Sequence, residues 1–106
     1  MNSPKPKFLL GRIILFMKPG HKTEEQILAE IEEATTKIEV GASYCHYKDR
    51  SKVYKIQGFG TLEADDSLCV IYQAQYGKQL TFIRPVSIWL EQIEWQGKKV
   101  PRFTKV

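Results

Sequence analysis

"VYKIQGFGTLEADDSLCVIYQAQY" occupies residues 53–76, and its reading decides the fold. Its two halves, 53–62 and 68–76, are rich in β-branched and aromatic residues and read as strands. Between them "EADDS" has the composition of a turn. Gly58 and Gly60 form "GFG" inside the first strand. A phosphate-cradling glycine loop needs a helix after it, whereas "TLEADD" follows here. The pair therefore predicts a bend or bulge.

Outward from this hairpin, the period of two continues. "SYCHYK" (43–48), "LTFIR" (80–84) and "IEW…VPRF" (93–103) read as further strands, with "DRS", "YGKQ" and "QGKK" as turns. Five short strands within about 65 residues predict a small antiparallel barrel or a strongly bent sheet. Upstream, "TEEQILAEIEEATTKIE" predicts one helix over 23–38. Thr23 and Gln26 form a capping box. Glu24 and Glu25 suit the positive end of the helix dipole, and Lys37 the other end. Ile27, Ile31, Ala34 and Ile38 make one apolar stripe, widened by Leu28, and Gly41 is a stop signal. The run "KFLLGRIILFM" (7–17) reads as an apolar arm. We assign it as a strand, because Gly11 weakens a helix and "KPG" ends the run; a short buried helix is the alternative.

The fold class is thus mainly β (α+β): an antiparallel β-barrel with one N-terminal α-helix and an N-terminal arm. Residues 1–40 form an N-terminal extension and 41–106 the barrel domain. A length of 106 residues suits one domain, and 42% hydrophobic with 26% charged residues excludes wholesale disorder. The two cysteines, Cys45 and Cys69, and the lack of a secretory signal predict a cytoplasmic protein with reduced thiols. No apolar run is long enough to span a bilayer. Charge is unevenly placed. Residues 1–22 carry +5, 23–40 carry −5, 41–66 balance, and 67–106 carry +4. The acidic block either faces solvent or offsets the arm, and the basic surfaces are candidates to meet a polyanion.

From Gly41 to Phe103 the chain resembles a bacterial family catalogued as domain of unknown function 1653. The resemblance rests on "GASYCHYK", "VYKIQGFG", "VIYQAQYG", "FIRPVSIWLE" and "VPRF", in that order. It departs from the family at Asp49, where glycine is common, and at Gln75, where leucine is usual. The resemblance implies a compact SH3-like barrel and no particular activity.

Alternation in "SYCHYK" puts Tyr44, His46 and Lys48 on one side of a strand and Cys45 with Tyr47 on the other. Cys45 suits a core, so an edge strand with Tyr44, His46 and Lys48 facing outward is expected. His46 lacks the paired spacing of zinc ligands, and no catalytic motif accompanies it, so neither metal nor cofactor is expected. Pro85 holds Arg84 extended, where its guanidinium can grip an anion or staple the barrel. "VPRF" predicts Arg102 facing out and Phe103 closing the core. Tyr44, Tyr76 and Trp89 could stack with bases while His46, Lys48, Arg84 and Arg102 meet phosphate. The expected function is a non-catalytic binding module for nucleic acid or a complex that handles it, acting as a monomer or weak homodimer. The alternatives are a protein–protein module that uses the arm, and an enzyme with His46 as general base.

Overall fold

The computed structural model describes residues 21–106, so the predicted arm at 7–17 lies outside the described residues. Helix α1 spans Glu24–Thr35. Strands β1 (Ser43–His46), β2 (Val53–Leu62), β3 (Ser67–Ala74) and β4 (Thr81–Pro85) follow. A short helix α2 (Val86–Trp89) precedes β5 (Gln92–Trp95), β6 (Lys98–Pro101) and β7 (Phe103–Lys105). The fold is mainly β with helix, as expected.

Helix α1 begins where its capping box predicts. The Gln26 N–H donates to the Thr23 hydroxyl (3.1 Å), and the Thr23 N–H donates to the Gln26 side chain (2.8 Å). The helix stops at Thr35, short of Ile38, yet Ile38 is fully buried in the turn that follows. Only the C-terminal end of the stripe is sealed: Ala34 is buried, Ile27 and Ile31 are half-buried, and Leu28 is exposed.

All strand pairing is antiparallel, in the order β4-β3-β2-β1-β7, with β5 and β6 as a separate hairpin. The "GFG" bulge is present: the β2–β3 register shifts between Ile56 and Gly58, and Gly58 has φ 157°. The β5–β6 turn holds Gln96 and Gly97 at φ 53° and 81°, the positive pair that a two-residue hairpin requires.

Two expectations need correction. The sheet is not closed into a barrel. Among the described residues, β4 and β7 are the two edges of the sheet; after Pro85 the chain turns into α2, and β7 is only three residues long. And β1 is not an edge strand. It lies between β2 and β7, because the C-terminus returns to pair Cys45 with Thr104 and His46 with Phe103.

The core sits on one face of the sheet. Cross-strand partners share a face, and the register aligns Tyr44 with Tyr54, and Ile56 with Tyr72 and Phe82. Ile38, Tyr44, Ile56, Val70, Tyr72, Trp89 and Phe103 form the buried cluster. Tyr44 therefore points inward, not outward, and its hydroxyl accepts the Glu39 N–H at 3.0 Å. Cys45, on the opposite side of an interior strand, is buried as well. Both cysteines are free thiols.

Candidate functional site

Beyond the buried cluster, the same face of the sheet continues into a half-exposed aromatic surface centred on Tyr54. Its ring meets those of Tyr72 (5.4 Å), Tyr76 (5.5 Å), Phe103 (5.8 Å) and Phe82 (6.3 Å), each close to edge-on. Edge-to-face packing suits the aromatic quadrupole; Tyr54 and Tyr76 are half-buried and Phe82 is exposed, whereas Tyr72 and Phe103 belong to the core. The Tyr54 and Tyr76 hydroxyls are 2.6 Å apart. Burial, then that hydrogen bond, pushes the Tyr54 phenol well above its ordinary value. Tyr54 stays neutral and keeps its proton for hydrogen bonding.

Cations border this surface. The Arg84 guanidinium lies 5.6 Å from the Phe103 ring centre, and its Nε donates to the Tyr72 hydroxyl at 3.1 Å. Lys52 Nζ sits 4.4 Å from the centre of the Tyr76 ring. Lys48 is exposed, 6.0 Å from the Tyr47 ring centre. His46 stacks on Tyr47 (4.6 Å) and meets Phe103 edge-on (5.5 Å).

The state of His46 follows from its neighbours. Burial first, then the positive charges of Arg84, Arg102 and Lys48, lower its pKa from 6.5, against a small opposing pull from Asp49. Asp49 is itself occupied: the Ser51 hydroxyl (2.6 Å) and N–H (3.0 Å) donate to it and hold its pKa low. His46 is thus neutral at pH 7. Its Nδ1 accepts the Lys48 N–H at 3.1 Å, which leaves the proton on Nε2. The ring offers a donor to a ligand rather than a free basic nitrogen.

This arrangement predicts a pH effect. The unfolded chain binds the histidine proton at a higher pH than the folded chain does. Stability therefore falls as pH drops below about 6.5 toward the folded pKa. An NMR titration of the His46 ring should give a midpoint below 6.5. His46→Gln should flatten the loss of melting temperature across that window. A midpoint at or above the ordinary value would contradict this electrostatic picture.

Of the seven predicted site residues, His46, Tyr76 and Arg84 touch this surface or its rings, and Lys48 stands beside His46. Tyr44 and Trp89 are 6% and 3% exposed and belong to the core. Arg102 is committed elsewhere. Its Nε donates to the Ile88 carbonyl (3.2 Å) and Nη2 to Glu91 (2.8 Å), tying the end of α2 to the start of β7. Tyr54, Phe82 and Lys52 were missed. The alternation of "VYKI" and "TFIR" contains Tyr54 and Phe82, but only the strand register places them together; Lys52 lies just before β2 and is known only by its approach to Tyr76. Among the described residues, no group of three or more His, Cys, Asp or Glu could hold a metal ion. None of the described helices is long and apolar enough to cross a membrane.

Comparison with known proteins agrees with the resemblance in the sequence. The profile of the family described as "Protein of unknown function (DUF1653)" matches residues 42–105. A crystal structure of a DUF1653 protein from Bordetella bronchiseptica is similar at 26% identity and a TM-score of 0.59. The match covers 68% of this chain and 91% of that one. No curated protein matches.

Proposed function

The chain belongs to the DUF1653 family, and we propose that it is a non-catalytic binding module for single-stranded nucleic acid. The observation that carries this reading is the convergence of Tyr54, Tyr76 and Phe82 with Arg84, Lys48, Lys52 and His46 on one side of the sheet. Aromatic rings accept any base face, and surrounding cations track the phosphates, which is how small β-domains hold single strands. The His46 Nε2 proton suits a phosphate or base oxygen, and this favours binding over general-base catalysis.

The strand order, in which β7 returns to β1 after a short helix, supports an SH3-like description of the open sheet. The two buried free thiols support a reducing bacterial cytoplasm.

Fluorescence anisotropy of a labelled oligonucleotide, followed across salt, tests the proposal. Three engaged cations, Arg84, Lys48 and Lys52, predict a slope of about −2 in log K against log salt for a single strand. Binding should weaken for duplex DNA, whose bases are hidden. No binding at low salt, or binding insensitive to salt, would overturn the reading.

A further inference from the structure

A second feature lies away from the aromatic surface. Between α1 and the Pro85–Leu90 segment runs a groove of about 540 Å³. Ala29, Ala34, Leu68, Pro85, Val86 and Leu90 line it, together with the charged Lys22, Glu30, Glu33 and Lys37. A volume of this size has room for several aliphatic side chains.

The chain enters the described structure at this groove. The carboxylate of Asp66, 6% exposed, accepts the Lys22 N–H at 2.6 Å and lies 3.1 Å from His21 Nδ1. Lys22 Nζ pairs with Glu30 at 2.8 Å. These bonds pin residues 21–22 at the groove mouth. Only residues 18–20 separate this pin from the apolar run "FLLGRIILFM" (8–17). Three residues reach about 10 Å.

We propose that residues 8–17 of the same chain occupy this groove. Three features agree on that occupant. The run is apolar and so is the lining. The pinned residues 21–22 hold it within reach. The charges are compatible: Arg12 is the one charge within residues 8–17, and Glu30 and Glu33 line the groove. Arg12 interrupts the apolar run and can meet Glu30 or Glu33 there. The segment completes the packing of α1 on the domain.

The test uses the full chain. In a uniformly labelled sample, NOEs should connect the methyl groups of Leu9, Leu10, Ile13, Ile14 or Leu15 with Ala29, Leu68, Val86 or Leu90. In an equal mixture of labelled and unlabelled chains, isotope-filtered spectra should lack those NOEs. Their absence from the first sample overturns the proposal. Their presence in the second also overturns it, by assigning the groove to the arm of another copy. A variant guards the result. Leu90 is 39% exposed, so Leu90→Lys should leave the core folded. It should speed amide exchange of residues 8–17 by about tenfold or more, with the ring signals of Tyr54 and Tyr72 unmoved. Unchanged exchange would contradict the docking.

Discussion

Trp89→Ala should cost the domain about 3–5 kcal/mol, the usual range for removing a buried tryptophan. Small domains hold only about 5–15 kcal/mol in total, so little stability would remain. The melting temperature should fall by more than about 12 °C. Trp89 stacks on Phe103 at 3.7 Å and 10°, and meets Tyr72 (4.8 Å) and Tyr44 (5.6 Å) edge-on. Among the described residues, no other ring joins α2 to β1, β3 and β7 together. The cavity left by alanine cannot collapse, because its walls belong to strands fixed by their ladders. Thermal unfolding by circular dichroism gives the answer. A shift of only a few degrees would return Trp89 to the surface position that its sequence context suggested.

That contrast shows where local reading stops. The β2–β3 hairpin, the "GFG" bulge and the Thr23–Gln26 capping box are local, with their causes spaced a few residues apart, and each is where the sequence puts it. The burial of Trp89 is not local. It depends on α2, whose four residues are too few to show a helical period, and on β7 coming back beside β1. The same return turns "YCHYK" from an edge strand into an interior one. Tyr44 and Cys45 are both buried as a result, and alternation alone cannot express that. In the candidate site, the cation Arg84 was legible because Pro85 constrains it. Tyr54 was not, because its importance arises from the four rings that register brings around it. Arg102 misled because its partners, Ile88 within α2 and Glu91 just after it, belong to a short helix that the sequence did not foreshadow.

Arg84→Ala should weaken single-strand binding by about tenfold or more, equivalent to about 1.4 kcal/mol. Arg84 is the half-buried cation whose guanidinium is fixed by both the Tyr72 hydroxyl and the Phe103 ring. A fixed fork loses little freedom when it meets a phosphate. The substitution also leaves the buried Tyr72 hydroxyl without its donor, at a cost of about 1–3 kcal/mol in stability. Affinity must therefore be measured well below the variant's melting temperature. Arg102→Ala is the matched control. It removes a charge of the same kind and breaks the ties to Glu91 and Ile88, while its charge also reaches His46, so it should lower stability and weaken affinity less than Arg84→Ala does. Equal losses of affinity in the two variants would mean that net charge alone, rather than the Tyr54 surface, attracts the ligand.

The most direct measurement is a side-chain and amide NMR titration of the full chain with short single-stranded RNA and DNA at two salt concentrations. The account predicts shifts at His46, Lys48, Lys52, Tyr54, Tyr76, Phe82 and Arg84 that shrink at the higher salt, while Tyr44 and Trp89 move little. A folded spectrum that does not move, or shifts confined to the groove between α1 and α2, would contradict it.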